Sequence, residues 1–264
     1  MKRLLVRHIG LLPGGVLRGV RVARQRFGFV RVLTEPLSRR LRSDVFVVQA
    51  GAARGLRLNA AEGKLGYAFG ENEPEVQQTL VELLRAGDVF YDVGANIGFF
   101  TLIGARLVGP AGMVHAFEPL AALADALREN VALNGFGNVV VRRAAAYSSA
   151  GVAELDVGAG TTAAHLVEEG SARTVQVQLQ RVDDLVAAGE IQPPTVVKID
   201  VEGAEDHVLV GMWNTLTEHR PTVICELHGP QEEFLARLRV AEYDVSVLDD
   251  GKGVDNPHVL ARPR

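Results

Sequence analysis

The sequence predicts an α/β fold in which a mostly parallel sheet is covered by helices on both faces. Strand-like segments alternate with segments of helical spacing from about residue 73 onward, and most of these strand-like segments are apolar throughout. Uniformly apolar strands that are linked by helices are typical of parallel sheets buried on both faces. With 264 residues, of which 47% are hydrophobic, the chain is long enough to bury a full core.

The N-terminal part of the chain is strongly basic. Residues 1–42 carry eleven Lys and Arg against one acid, Glu35, which gives +10; since the whole chain carries −4, the remaining 222 residues sum to −14. We interpret residues 1–65 as a basic helical arm with a β-like lead-in, and residues 66–264 as the main domain. Such an arm either packs on the acidic domain or contacts a membrane surface, a phosphorylated substrate or nucleic acid. The scarcity of aromatic residues argues against nucleic acid.

The elements of the main domain follow in chain order. Helical spacing that ends at a glycine predicts a helix in residues 73–87, and an apolar run predicts a strand in 89–95. The later predicted elements are a helix near 98–107, a strand near 112–119, a helix at 120–134, a strand at 138–146, two β-like segments within an insertion at 148–180, a helix at 181–189, a strand at 194–203, a helix at 204–219, a strand at 221–229, a helix at 231–242, and two closing strands at 244–250 and 258–263.

Composition also indicates the cellular location of the protein. The single cysteine, Cys225, cannot form an internal disulfide, so we expect a reducing, cytoplasmic location. No apolar stretch reaches the roughly 18–20 residues that span a bilayer. The first twenty residues place basic before apolar residues, as signal peptides do. Because Arg7, His8 and Arg18 interrupt the apolar part, we expect the segment to be retained.

The turn after the first main strand indicates a ligand. It reads Asp-Val-Gly-Ala-Asn-Ile-Gly over residues 92–98, at the carboxyl end of a strand, where parallel sheets bind ligands. Its glycines let the backbone approach a ligand, and the next helix directs its first amides there. Glu118 ends the following strand and can accept two ribose hydroxyls, while Asp92 suits a cationic amine. The G-x-G-x-x-G pattern of dinucleotide sites is absent. Ribose, ammonium and carboxylate together describe S-adenosylmethionine.

Five motifs then carry a family resemblance. They are YDVGANIGFFTL, VHAFEP, ENVALNGFGNV, VVKIDVEGAE and ICELH, preceded by GENEPEVQQTLVELLRAGD. Over about residues 66–229, the chain resembles the FkbM-type methyltransferases, a class I S-adenosylmethionine-dependent family. The resemblance implies a Rossmann-like class I methyltransferase fold with a seven-stranded, mostly parallel central sheet. It also implies S-adenosyl-L-methionine as methyl donor. The implied acceptor is a hydroxyl on a sugar or polyketide-like small molecule, as in natural-product or glycan tailoring.

The resemblance further implies which residues hold the cofactor. Glu118 matches the ribose carboxylate, and Ala145 lies where such enzymes contact the adenine. Thr101, in the first turn of the helix, is expected near the methionine carboxylate. Glu73 or Glu75 is expected to close over the cofactor, unless these acids only stabilise a helix N-terminus. The remaining expected cofactor residues are Asp92, Gly94, Ala95, Asn96, Gly98 and Asp200.

A charged cluster is predicted at the catalytic end of the sheet. The strand period of two places Lys198, Asp200 and Glu202 on one side, and Glu226 and His228 share a side of the neighbouring segment. Buried charges are costly unless they are paired, so the cluster is either a structural network or a catalytic one. An alcohol must lose its proton to accept a methyl group. The expected catalytic residues are therefore Lys198, Asp200, Glu226 and His228, with His228 or a Lys198 of lowered pKa as base.

Other chemistries stay open at this point. Asp200, Glu226 and His228 are also candidate ligands of a divalent metal such as Mg²⁺, which would acidify the hydroxyl. An N-methyltransferase acting on an amino sugar, peptide or RNA and a non-catalytic S-adenosylmethionine-binding scaffold are the alternatives in function. The strand end KIDVEG lacks the Asn/Asp-Pro-Pro-aromatic signature of many base N-methyltransferases. We expect a small-molecule partner, no nucleic acid and no transmembrane segment, with peripheral contact through the arm and homo-oligomerisation left open.

Overall fold

The computed structural model describes residues 45–60, 66–157, 165–166, 173–229, 232–249 and 256–264. The predicted helical arm lies outside the described residues, as does part of the predicted insertion. None of the helices in these ranges is long and apolar enough to cross a membrane.

The described chain alternates strands and helices. In chain order, the elements are β1 (Val45–Val47), β2 (Arg57–Asn59), α1 (Gly66–Phe69), α2 (Pro74–Leu83), β3 (Val89–Val93), α3 (Phe99–Val108), β4 (Met113–Phe117), α4 (Ala121–Leu133), β5 (Val139–Arg142), β6 (Ala145–Ala146), β7 (Gly151–Asp156), β8 (His165–Leu166), β9 (Thr174–Gln180), α5 (Val182–Ala187), β10 (Val196–Ile199), α6 (Glu205–Gly211), α7 (Trp213–His219), β11 (Thr222–Glu226), α8 (Glu232–Val240), β12 (Tyr243–Val247) and β13 (His258–Pro263).

The central sheet has seven strands in the order β12-β13-β11-β10-β3-β4-β5. Strands β11, β10, β3, β4 and β5 are parallel, and β13 pairs antiparallel with both β11 and β12. The predicted mostly parallel, seven-stranded, Rossmann-like sheet is confirmed. The chain leaves β3 to one side towards β4 and returns on the other side as β10, so the carboxyl ends of β3 and β10 flank a switch point, where such sheets bind ligands.

Apolar side chains cover both faces of this sheet. In β3, Phe90 belongs to one buried core cluster and its neighbour Tyr91 to another, because successive strand residues point to opposite faces. Helices α2 and α3 pack within the first cluster, and α5, α6 and α7 within the second. This explains why the strands read as continuous apolar runs.

The predicted insertion supplies β7, β8 and β9 of a second sheet, in the order β6-β9-β7-β8. The single strand expected at 138–146 is divided into β5 of the central sheet and β6 of this second sheet. The single helix expected over residues 204–219 was wrong, because the structure has two helices that meet at Met212. The carboxylate of Asp183 accepts hydrogen bonds from the backbone N–H groups of Asn214 and Thr215, at 3.0 and 2.8 Å. These bonds satisfy amides in the first turn of α7, so the second helix starts there.

The β1–β2 lead-in packs on α4 through side-chain amides. Asn59 N–H donates to Asn130 Oδ1 at 2.6 Å, and Asn130 Nδ2 donates back to the Asn59 carbonyl at 3.1 Å. Asn134 makes the same pair of contacts with the backbone of Arg57, at 2.8 and 2.7 Å. The lead-in adds five buried apolar side chains to the core: Val48, Ala53, Leu56, Leu58 and Ala60. Residues 45–60 are therefore packed as part of the main domain.

Candidate active site

A cavity opens at the carboxyl ends of β3, β4, β10 and β11. Its walls include ten of the residues that the sequence singled out: Gly94, Ala95, Asn96, Glu118, Ala145, Lys198, Asp200, Glu202, Glu226 and His228. Five others lie outside its lining: Glu73, Glu75, Asp92, Gly98 and Thr101. The sheet therefore brings the predicted cofactor turn and the predicted charged cluster to one space.

The turn between β3 and α3 is tightly packed. Gly94 has φ +81°, and a Cβ there would lie 1.8 Å from the carbonyl oxygen of Asp200. Gly98 has φ +92°, and its Cβ would lie 2.1 Å from Leu127 Cδ1. Both glycines are required by their backbone conformation and by neighbouring protein atoms. The sequence explained them by a close ligand approach, and these contacts within the protein are a further reason for glycine.

Glu118 lies between the turn and α4, where it is 4% exposed. Its Oε2 accepts the Asn96 N–H and its Oε1 accepts the Leu120 N–H, both at 2.9 Å. Each carboxylate oxygen retains a free lone pair, and the side chain lines the cavity. Burial raises the pKa of Glu118 to about 7, although the two backbone hydrogen bonds oppose this. The carboxylate is thus fixed, desolvated and able to accept two hydroxyl groups.

Asp92 is buried and does not line the cavity. It accepts a hydrogen bond from Thr101 Oγ1 at 2.5 Å, and its β3 position is in register with Lys198 of β10. Burial raises the pKa of Asp92, while the charge of Lys198 and the Thr101 hydroxyl lower it. Because the Thr101 hydroxyl is fully buried and bonded to Asp92, these two side chains hold the base of the turn in place.

Lys198 is a buried cation at the floor of the site. It is 2% exposed, its Nζ lies 2.9 Å from Asp200 Oδ2, and Nζ lies 4.6 Å from the centre of the Phe100 ring. Burial alone would lower its pKa, but the nearby carboxylates of Asp200, Glu73 and Asp92 raise it above the usual range. The ammonium is therefore retained, and Lys198 lacks the lowered pKa that a catalytic base would need.

His228 is held by carboxylates on both sides of its ring. Its Nδ1 lies 2.7 Å from Glu205 Oε1, and its Nε2 lies 3.4 Å from Glu202 Oε2 and 3.7 Å from Glu226 Oε1. Glu205 Oε1 also accepts the Gly203 N–H at 3.1 Å. Burial lowers the pKa of His228, but the hydrogen bond to Glu205 and the carboxylates of Glu202 and Glu226 raise it to about 9. The ring has one fixed orientation, with Nε2 towards the cavity residues.

Glu226 links His228 to a second histidine, His258 of β13. Antiparallel pairing of β11 and β13 puts Glu226 opposite His258, and His258 Nε2 lies 3.7 Å from Glu226 Oε2. The same nitrogen lies 3.3 Å from Glu73 Oε2. Burial and the charges of Asp200 and Glu73 raise the pKa of Glu226 to about 7, while the two histidines lower it. Glu73 thus lies beside the cluster, although it does not line the cavity.

Sequence reasoning missed several residues of this site. Glu205 was quoted only as part of a motif, and its position as the first residue of α6, directly after the charged strand end, was the available signal. His258 had no local signal, because only strand pairing brings it to Glu226. Tyr67 and Tyr147 add aromatic walls to the cavity. Tyr147 stacks on the His207 ring, with 4.3 Å between ring centres.

Two triads near the cavity have the composition of metal sites. In the first, which the sequence predicted, one ligand atom each of Asp200, Glu226 and His228 lie within 4.8 Å of one another. The second consists of Glu73, Glu226 and His258 and satisfies the same distance limit. Both triads use Glu226.

Comparisons with known proteins give a consistent result. The family described as "Methyltransferase FkbM domain" matches residues 92–252. Hexuronic acid methyltransferase AglP of Haloferax volcanii is 32% identical over 192 residues, which cover 72% of this chain and 76% of that protein. The 31-O-demethyl-FK506 methyltransferase FkbM of Streptomyces tacrolimicus is 32% identical over 202 residues, covering 63% of this chain and 76% of that protein.

Solved structures share the fold. A crystal structure of the methyltransferase FkbM from Methylobacillus flagellatus matches with a TM-score of 0.50 at 17% sequence identity. The match covers 68% of this chain and 45% of that one, so the present chain spans less than half the length of that protein. At this identity, the match supports the Rossmann-like fold.

Proposed function

The chain belongs to the FkbM family of S-adenosylmethionine-dependent methyltransferases, and on this premise we propose that it methylates a hydroxyl group of a sugar or polyketide-like small molecule. Two relatives support this acceptor class, since one is named for hexuronic acid and the other for 31-O-demethyl-FK506. Natural-product or glycan tailoring is the corresponding biological role.

The proposed cofactor position follows the cavity wall. The two free lone pairs of Glu118 accept the ribose hydroxyls, and the adenine lies towards Ala145. The turn residues Gly94, Ala95 and Asn96 line the methionine side, next to the first amides of α3. Gly98, Asp92 and Thr101 shape this turn from behind, and Asp200 borders the sulfonium end.

A single observation carries the catalytic proposal: the imidazole of His228 is fixed by Glu205 on one side while its Nε2 is directed to the cavity residues Glu202 and Glu226. In the proposed step, the acceptor oxygen attacks the methyl carbon as the carbon–sulfur bond breaks. The bonding electrons pass to sulfur, which yields S-adenosylhomocysteine, and the hydroxyl proton passes to Nε2. Lys198 and Asp200 border the same space and orient the acceptor.

The base must be neutral when the acceptor is bound. In the cofactor-free protein, the carboxylates around His228 favour its protonated form. A bound sulfonium adds a positive charge at the same strand ends and opposes a second cation there. Cofactor binding and loss of the His228 proton are therefore coupled in this proposal.

The experiment is a comparison of histidine variants. Acceptor activity is first located with methyl-labelled S-adenosylmethionine and a panel of hexuronic acids, other sugars and polyketides. His228→Ala should then lower turnover by about 10²–10⁴-fold, the usual range for general acid–base catalysis. Its affinity for S-adenosylhomocysteine should stay within about threefold, because distant contacts act independently. The matched control is His219→Ala, since His219 lies exposed at the end of α7.

Each outcome bears on the proposal. Full activity of the His228→Ala variant would show that another group takes the proton. Labelled amines in place of ethers among the products would favour the N-methyltransferase alternative. Absence of transfer to every acceptor, with S-adenosylhomocysteine still bound, would favour a binding scaffold.

Metal dependence is a separate part of the proposal. If Asp200, Glu226 and His228 hold Mg²⁺, EDTA should abolish activity and added Mg²⁺ should restore it. We propose that this triad works without a metal ion, because the Lys198 ammonium already lies 2.9 Å from the Asp200 carboxylate. A cytoplasmic location is also proposed, from the lone Cys225. Peripheral contact through the basic arm and assembly into a homo-oligomer stay open predictions from the sequence.

A further inference from the structure

We propose that Glu73, Glu226 and His258 form a binding site for one divalent transition-metal ion, next to the methyl-transfer centre and sharing Glu226 with it. The three residues come from the start of α2, the end of β11 and the start of β13. His258 Nε2 lies 3.3 Å from Glu73 Oε2 and 3.7 Å from Glu226 Oε2. Ligand atoms bound about 2.1 Å from one ion lie roughly 3.0–3.5 Å apart, so this spacing already approaches that of a coordination shell.

Two buried atoms at this point have only each other as polar partner. Glu73 Oε2 and His258 Nε2 lie 3.3 Å apart as an ion pair, and within the described ranges of the chain neither atom has a well-formed hydrogen bond. The His258 side chain is only 7% exposed. An unsatisfied buried polar atom costs about 1–3 kcal/mol. A single cation bound by both atoms would replace this imperfect pair and satisfy each atom.

The second nitrogen of His258 shows the arrangement typical of a metal-bound histidine. Asp249 Oδ2 lies 3.2 Å from His258 Nδ1 and also accepts the His258 backbone N–H at 2.5 Å. A carboxylate on the far side of the ring fixes its tautomer and leaves Nε2 free to bind a metal. Asp249 therefore acts as a positioning residue for the ligand.

The local charge also favours a cation. The carboxylates of Glu73, Glu226 and Asp249 lie at this point. The positive charge of Lys198 partly offsets Glu73 and the neighbouring Asp200. A set of one imidazole and two carboxylates suits Mn²⁺, Fe²⁺, Co²⁺ or Zn²⁺, with water in the remaining positions, whereas Mg²⁺ and Ca²⁺ prefer oxygen alone. Such an ion would join α2 to the strand ends and would engage Glu226 Oε2, while Glu226 Oε1 faces His228.

The test is metal binding by the full chain in the absence of cofactor and acceptor. Protein treated with EDTA and dialysed is titrated with Mn²⁺, and free Mn²⁺ is followed by electron paramagnetic resonance. Co²⁺ absorption provides a second readout of nitrogen coordination. We expect one ion per chain. Glu73→Gln and His258→Ala should each weaken binding by more than tenfold, and Asp249→Asn by about tenfold, the usual effect of losing an outer-shell partner.

His228→Ala is the matched control, because it removes the histidine of the other triad and leaves this one intact. Because His228 contacts Glu226, a change of a few fold in Mn²⁺ affinity is expected, but His228→Ala should keep most of the affinity that His258→Ala loses if the ion sits at His258. Loss of binding in His228→Ala but not in His258→Ala would place the ion at the other triad and overturn the inference. Failure to bind Mn²⁺, Co²⁺ or Zn²⁺ would also overturn it.

Folding and cofactor binding are controlled separately. Circular dichroism and the melting temperature show whether the His258→Ala chain is folded, and Glu73→Gln tests the site without changing side-chain size. Because no methyl transfer is measured, a chain that binds S-adenosylhomocysteine but no metal disproves this site alone. Normal metal binding with no methyl transfer would disprove the proposed function alone.

Discussion

The buried carboxylate of Glu118 should make cofactor affinity depend on pH. Its pKa in the cofactor-free protein is about 7, because burial outweighs the two backbone hydrogen bonds it accepts. Only the ionised carboxylate can accept both ribose hydroxyls, so binding requires the group to lose its proton. Affinity should therefore be highest above the pKa of Glu118 and should fall as the pH is lowered through it.

The magnitude follows from this pKa. With a pKa of about 7, roughly one tenth of the Glu118 side chains are ionised at pH 6 and nine tenths at pH 8. If the protonated form does not bind, the dissociation constant for S-adenosylhomocysteine rises about tenfold between pH 8 and pH 6, which corresponds to about 1.4 kcal/mol. At pH 7, binding should release about half a proton per ligand.

Isothermal titration calorimetry at pH 6, 7 and 8 measures both quantities, since buffers of different ionisation enthalpy report the released protons. Glu118→Gln is the matched variant, because it keeps the size of the side chain and cannot titrate. It should bind about 10-fold more weakly at pH 8, the cost of a lost charged acceptor, and its affinity should no longer depend on pH. Equal affinity of the unsubstituted protein at pH 6 and pH 8, or an unchanged slope in Glu118→Gln, would refute the ribose assignment.

Three further predictions concern stability and the arm. Gly94→Ala should lower the free energy of unfolding in urea by about 2 kcal/mol or more, because its Cβ would lie 1.8 Å from the Asp200 carbonyl oxygen. The control is Gly87→Ala, where φ is +93° but the Cβ would meet open space; it should lower the free energy of unfolding by only about 1 kcal/mol. Lys198→Met should cost about 3 kcal/mol in the same assay, since it leaves a carboxylate without its 2.9 Å partner; a loss below about 1 kcal/mol would contradict the buried ion pair. Deleting residues 1–30 should leave S-adenosylhomocysteine affinity by calorimetry within about threefold, and loss of binding by a folded truncated chain would make the arm part of the pocket.

The sheet was predictable because each strand has a local sequence pattern. Segments such as Val89–Val93 and Val196–Ile199 are buried on both faces, and this burial is visible in the sequence as apolar runs broken by one charged residue each, Asp92 and Lys198. The same reasoning brought Lys198 and Asp200 together with Glu226, since the carboxyl ends of adjacent parallel strands share one edge.

Interactions between distant segments were not predictable. Helical spacing runs on through Met212, but the cap that starts α7 there is Asp183, about thirty residues earlier. His258 reaches Glu226 only through antiparallel pairing, whose register depends on the whole β12–β13 hairpin. Asp92 was expected near the cofactor amine. The structure buries it outside the cavity lining, bonded to Thr101 and in register with Lys198 of β10, and no pattern within residues 92–98 reveals these neighbours.

The amide contacts between the lead-in and α4 have a consequence for synthesis of the protein. Asn59 and Arg57 bind side chains that lie 71 and 77 residues further along the chain. At about 5–20 residues per second, a ribosome needs roughly 4–15 seconds to make that stretch, and the lead-in has no docking site until then. During this interval, apolar residues such as Leu56 and Leu58 leave the exit tunnel before the surface that buries them exists. Chaperones that bind nascent chains should therefore engage this segment first, and slower translation of α4 should prolong that engagement.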